Sequence, residues 1–329
     1  MLLNLVSHSL DGHRREYVAL MARLFGEGGV ETRLLRRWRD AAAASPPAFF
    51  LMVEENCAGY AAAALWRAVM GRRTVGLLFR GREALEGKSP RLRLKRWGLR
   101  LLRRVPGVTT LSIVPFRVEP GLAEIADDWI DDPQLWDLED LSPEPTPLSE
   151  AVRGAAAGRR LVVSLGIQNE AKGFCFLAGA WSQSPSLRAD WLFVAAGKVA
   201  SEELPVAAEF VANGGYLVDR FISDAELASL YKAADVIWGV YAPFYDQASG
   251  IFGRAVQYDV PILLRRGSAV ETHGLELGAR LATVEYGVTG DLAGALEAAA
   301  AAEVSRGNRA PEMRARSEAI LRAALMGCS

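Results

Sequence analysis

Cysteine and histidine are scarce, three of each in 329 residues. Cys57, Cys175 and Cys328 are odd in number and lack C-x-x-C spacing. That argues against a disulfide framework and a zinc site, and makes a reducing cytoplasm the default compartment. His8, His13 and His273 are dispersed, so neither a metal centre nor a serine, threonine or cysteine nucleophile paired with histidine is expected. No run approaches the roughly 18 apolar residues needed to span a bilayer. The Ala-rich stretch from Cys57 to Trp66 stops at Arg67. The opening MLLNLVSHSLDGHRR is apolar too briefly, with its positive charge on the wrong side, for a signal peptide. No repeat of fixed short period recurs.

Lysine and arginine are missing altogether between residues 119 and 150, where 11 acidic residues stand. Residues 1 to 118 carry 21 basic against 9 acidic residues, and residues 151 to 329 carry 17 against 19. The net charge of −1 thus conceals a cationic first part, an acidic block and a balanced second part, an asymmetry that suggests separate tasks. With 50% apolar and 23% charged residues, disorder, collagen and coiled coil are excluded. The length suits one large domain or two ordinary ones.

The pattern alternates between strand and helix. Leu2 to Val6 reads as a strand, followed by a polar turn over Ser7 to Arg15 and a helix carrying Tyr17, Met21, Leu24 and Phe25. Further strands are expected over 30–35, 49–53, 74–79 and 109–114, with helices over 61–70 and 92–105. Pro143, Pro145 and Pro147 on alternate positions read as a semi-rigid linker across Leu141 to Glu150. The alternation then restarts, with strands at 161–165, 191–195, 216–218, 236–240 and 261–264. Helices are expected at 174–181, around 206–211, 225–233 and 250–258, and a last amphipathic helix at 311–326. This describes two α/β domains, 1–145 and 146–309, with a terminal helix 310–329 that packs back on the first domain, and a cleft between them.

Residues with chemistry collect in the second domain. LVVSLGIQNEAKG (Leu161 to Gly173) is a buried strand ending at Gly166, a polar loop, and Lys172-Gly173 opening a helix, which suits a diphosphate. A glycine turn followed by a solvated lysine explains the same residues. WLFVAAGKV brings another strand into Gly197, and Ser249-Gly250 caps the helix of DQASGIFGRAV.

With the segment Gly214 to Leu264, these motifs resemble the second domain of GT-B nucleotide-sugar glycosyltransferases, in particular the large retaining family. Gly166 to Gly173 matches that family's G-x5-K-G loop, Ile222 to Val236 its helix-strand pair, and Arg254 to Ile262 its final motif, in order over some 110 residues. The resemblance implies an α/β GT-B fold of two Rossmann-like domains facing each other across a cleft. It further implies a metal-independent, cofactor-free hexosyltransferase-type enzyme that moves sugar from a nucleotide-sugar donor, with retention, to a saccharide or lipid-linked acceptor in cell-surface polysaccharide or glycoconjugate synthesis. Gly166, Lys172, Gly173, Gly197, Asp219, Arg220, Ser249, Gly250, Ile251 and Arg254 then become donor-binding candidates, with Asp246, Lys172 and Arg254 catalytic. Two departures stand out. Aligned on Pro261, the family's two glutamates fall on Asp246, which keeps a carboxylate, and on Arg254, which reverses the charge; the family's first-loop arginine is Ile167. Arg254 would supply the missing positive charge, since guanidinium forks onto phosphate. The same departures keep open a non-catalytic GT-B-like binding or assembly subunit. A sugar-nucleotide epimerase of this fold would need acidic and histidine groups that three histidines scarcely supply.

In the first domain Gly12, His13, Arg14 and Arg15 occupy the first strand-to-helix loop, and Glu54, Glu55 and Asn56 end the third strand. Gly12, His13, Arg14, Glu54 and Asn56 are the acceptor-side candidates. Within RLRLKRWGLRLLRRV (Arg91 to Val105), Leu94, Trp97, Leu101 and Val105 recur at helical spacing among seven cations. That pattern fits an interfacial helix on anionic lipid, placing a cytoplasmic protein on the inner face of the membrane, and equally fits a core-packing helix with a solvated cationic face. Nucleic acid is not expected as a partner, because no stacking platform or binding motif accompanies the charge. The acidic block either shields the cleft rim or pairs with this basic helix.

Overall fold

The computed structural model describes every residue except 11–12, 137–142, 247–248, 304–308 and 328–329, and the side chains of residues 13 and 134. The chain divides into two compact units, Met1–Asp137 with Ala310–Ser329, and Leu138–Arg309.

The first unit holds six strands: β1 (Leu2–Val6), β2 (Glu31–Leu35), β3 (Ala48–Phe50), β4 (Thr74–Leu78), β5 (Val108–Ser112) and β6 (Asp128–Trp129). They pair in parallel in the order β2-β1-β3-β4-β5-β6. Runs such as AFF and TVGLL are buried throughout, as strands covered on both faces must be. The strand expected over 49–53 stops at Phe50, because Met52 adopts φ +55° and Val53–Asn56 turns instead as a short 3-10 helix. Helices Trp38–Ala43 and Gly81–Glu86 were not anticipated, being too short for helical periodicity to register. The terminal helix Ala310–Met326 belongs to this unit; Ser317 accepts the Asp131 N–H at 3.1 Å, and Arg316 lies 4.2 Å over the Trp129 ring. The acidic block does pair with the basic helix, through Arg100 with Glu124 and Arg103 with Asp127 at 3.2 Å.

Arg67 is the least expected core residue. It is 0% exposed, and its guanidinium donates to Thr74 Oγ1 and to the carbonyls of Ala41, Ala44, Pro46 and Arg73. Burial lowers its pKa to about 10, so it remains cationic at neutral pH.

The second unit holds β7 (Arg160–Leu165), β8 (Trp191–Ala196), β9 (Tyr216–Val218), β10 (Val236–Gly239), β11 (Ile262–Arg265) and β12 (Leu281–Val284), in the parallel order β12-β11-β10-β7-β8-β9. This is the dinucleotide-binding strand order, in which the chain's winding reverses between β7 and β10, and the crevice at their carboxyl ends is where such sheets bind ligands. The proposed proline linker is only partly a linker. Pro147 opens the helix Pro147–Ala156, with Thr146 as N-cap in a reciprocal capping box with Ser149. Proline suits that first helical position because the N–H it lacks would have had no partner there.

Candidate functional site

Loops from β7, β8 and β10 are locked together at the reversal point of the second unit. Gly166 donates to the Ala196 carbonyl at 3.0 Å, and buried Gln168 reaches back from its side chain to the Gly166 carbonyl at 2.9 Å. Gly197, at φ +141°, crosses so close that a Cβ there would sit 1.8 Å from the Gly166 oxygen. Only glycine permits that crossing. Gly173, at φ +75°, likewise presses on the Val240 carbonyl, 1.9 Å from where its Cβ would be, so the loop after β7 rests on the loop after β10.

That contact sets Lys172. Its backbone N–H donates to Asn169 Oδ1 at 2.9 Å, and its ammonium sits 4.3 Å from the Tyr241 ring centroid and 4.7 Å from that of Tyr245. The two rings meet edge to face at 5.8 Å, forming an aromatic cradle whose faces attract the cation. Tyr241 is buried, which raises its pKa, and its hydroxyl is 2.7 Å from Ser249 Oγ. Ser249 in turn accepts the Phe252 N–H as N-cap of the helix Gly250–Gln257. Ile251, in the first turn of that helix, reaches within 4.0 Å of the Cβ position of Gly166. Gly166, Lys172, Gly173, Gly197, Ser249, Gly250 and Ile251 therefore gather at one place.

The charged candidates are each held by neighbours. Asp246 accepts the Ala269 N–H at 2.9 Å and pairs with Arg265 at 3.1 Å, both groups largely shielded from water. Arg254 donates to Gln257 at 2.8 Å, one turn along its own helix. Asp219 accepts the Val199 N–H at 2.9 Å and pairs with Lys198 at 3.0 Å, and these bonds lower its pKa. Arg220 forks onto both oxygens of Glu226, at 2.9 and 2.6 Å. Tyr241, Tyr245 and Arg265 were missed by sequence reasoning, for a tyrosine in a loop or an arginine ending a strand carries no signal until the fold supplies its partner.

Glu226 also closes a capping box on Ser223, and the Arg220 bonds followed by the Ser223 N–H lower its pKa to about 2. A depressed carboxylate stabilises the fold above its unfolded value and loses that contribution as pH falls towards the folded one. Glu226→Gln is thus expected to cost about 1 kcal/mol at neutral pH, and to remove part of the loss of stability that the parent shows between about pH 4.5 and 2. Urea denaturation across that range checks it; identical curves would refute it.

In the first unit the winding reverses between β1 and β3. Gly12 and the His13 side chain lie outside the described residues. Arg14 and Arg15 lie in the first turn of the helix His13–Glu27 rather than in the loop before it, and Arg14 pairs with Glu55 of the 3-10 helix Val53–Asn56. Glu54 accepts the N–H groups of Phe79 and Arg80 at 3.1 and 3.0 Å, and burial raises its pKa against those bonds. Asn56 accepts the Gly59 N–H at 2.9 Å as a helix N-cap, which gives it a structural task. Among the described residues no acidic, cysteine and histidine cluster is arranged to hold a metal ion, and no helix is long and apolar enough to cross a membrane.

No protein-family model matches the sequence, and a search of the curated proteins finds no match. Solved structures do match. HepE of Anabaena, in complex with UDP, superposes with a TM-score of 0.62 at 12% identity, over 98% of this chain and 95% of that one. WaaG, a glycosyltransferase involved in lipopolysaccharide biosynthesis, gives 0.58 at 12% identity over 100% of both chains. A putative UDP-N-acetylglucosamine 2-epimerase from Listeria monocytogenes gives 0.63 at 12% identity over 100% and 97%. The fold is GT-B, an α/β architecture with two parallel six-stranded sheets.

Proposed function

We propose that the protein is a glycosyltransferase that takes its sugar from a nucleotide-sugar donor bound at the reversal point of the second unit. The observation that carries this reading is Lys172, cradled by Tyr241 and Tyr245 beside the Gly166 turn and the Ser249-capped start of Gly250–Gln257. A cation beside backbone N–H groups and a helix's positive end suits a diphosphate. Fixed cations of this kind act where negative charge grows on the leaving diphosphate. In this reading Arg254 is a second cation for the donor, and Asp246, braced by Arg265 and the Ala269 N–H, faces the sugar. Asp219 and Arg220 shape the nucleobase end. Metal-independence, retention and a saccharide or lipid-linked acceptor at Arg14 and Glu54, in cell-surface glycoconjugate synthesis, complete the proposal. The exposed basic helix Pro90–Leu102 supports a peripheral place on the inner face of the cytoplasmic membrane.

An epimerase shares the fold, but His8 engages the Arg36 carbonyl and His273 is buried against Phe252. The test is release of nucleoside diphosphate from a panel of nucleotide sugars. Turnover of one donor is expected, with Lys172→Ala lowering kcat/KM roughly 10- to 100-fold, the worth of one charge-assisted bond. Binding without turnover across the panel would favour the non-catalytic reading, and interconversion of the sugar without transfer would favour the epimerase.

A further inference from the structure

The helix Cys57–Val69 is built inside out. Its single charged residue, Arg67, is buried, while its outward positions are Ala58, Ala62, Leu65, Trp66 and Val69, followed by Met70. That face carries no polar side chain, although Trp66 is 54% and Val69 78% exposed. A helix on a water-facing surface ordinarily shows the opposite arrangement. The neighbouring helix Pro90–Leu102 packs against it and turns Leu94, Trp97 and Leu101 outward. These two helices and Met70 hold seven of the sixteen exposed large apolar side chains among the described residues, a concentration that marks an interaction surface.

Charge selects what covers it. Neither helix contains an acidic residue. Arg91, Arg93 and Arg104 are exposed and form no ion pair with any described residue, while Arg72 and Arg73 follow the end of the first helix. An apolar face with two tryptophans and a cationic rim matches the boundary between acyl chains and anionic headgroups. We propose that both helices together form the docking surface for an anionic lipid bilayer, with Trp66 and Val69 inserting beside Leu94 and Trp97. This deepens the membrane reading above and rests on it, but is independent of sugar transfer.

Three full-length chains test it: the parent, Trp66→Ser/Val69→Ser, and Leu94→Ser/Trp97→Ser. All changes are at exposed positions, and equal melting temperatures would show that the fold is kept. Co-sedimentation with phosphatidylglycerol-containing vesicles at low salt is expected for the parent and weakened at least about tenfold in each variant, since each removes side chains whose burial stabilises the bound state. Little binding to phosphatidylcholine alone is expected. Unchanged binding of Trp66→Ser/Val69→Ser, with loss in the other variant, would overturn the two-helix surface and leave attachment by Pro90–Leu102 standing. No binding by the parent would overturn both. A parent that forms dimers broken by Trp66→Ser/Val69→Ser, without binding vesicles, would make the face a contact between copies and overturn the proposal. Equal binding to neutral vesicles would overturn the assignment to anionic lipid.

Discussion

Replacing Arg67 with methionine is expected to destabilise the first unit by on the order of 4 kcal/mol, a large share of the 5–15 kcal/mol that holds a typical domain folded. Methionine fills much of the volume but leaves the carbonyls of Ala41, Ala44, Pro46 and Arg73 and the Thr74 hydroxyl without their donor. A buried polar group stripped of its partner costs about 1–3 kcal/mol, and water entering the vacated space offsets part of the sum. Lysine in the same place keeps the charge but offers one ammonium in place of a planar fork, so Arg67→Lys should recover only a minority of the loss. Urea denaturation of the three proteins decides it. A change under about 1 kcal/mol for Arg67→Met would show that the carbonyl cage contributes little.

Gly197→Ala is expected to dismantle the candidate site. The new methyl would lie 1.8 Å from the Gly166 oxygen and 2.6 Å from its carbonyl carbon, against backbone with no rotamer to yield, at a φ of +141° that alanine avoids. The strained dihedral alone costs about 1–3 kcal/mol. Relieving the clash means parting the loops and losing the bonds Gly166 N–H to Ala196 and Gln168 N–H to Lys198, at 3.0 and 2.9 Å. Nucleoside diphosphate affinity should fall at least about 100-fold, since displacing the cradle of a bound group by an ångström is costly. Calorimetric titration beside a melting curve separates lost binding from lost fold. A stable variant that binds like the parent would contradict this geometry.

Much of the fold was legible because parallel strands buried on both faces read as short apolar runs: β1, Leu2–Val6, falls where the pattern puts it, and β8, Trp191–Ala196, does so to within one residue. Local geometry hid the rest. Nothing in LMVEEN announces the positive φ of Met52 that ends β3, and a proline at 147 reads as a helix breaker until Thr146 is seen capping it. The glycines and Lys172 of the candidate site were legible as a motif. The tyrosine cradle and the Arg265 brace on Asp246 were not, because they join loops separated in sequence and brought together only by the sheet. Arg67 misled most instructively: it reads as the residue that ends an apolar stretch, and in the fold it is the charge that stretch conceals.

The central claim is that the reversal point of the second unit holds a nucleoside diphosphate through Lys172. Isothermal titration of the full chain with UDP, GDP, ADP and dTDP tests it most directly. The account predicts saturable one-site binding of at least one diphosphate, weakened about 10- to 100-fold by Lys172→Ala. Heats indistinguishable from dilution for all four, or a Lys172→Ala variant that binds as tightly as the parent, would contradict it.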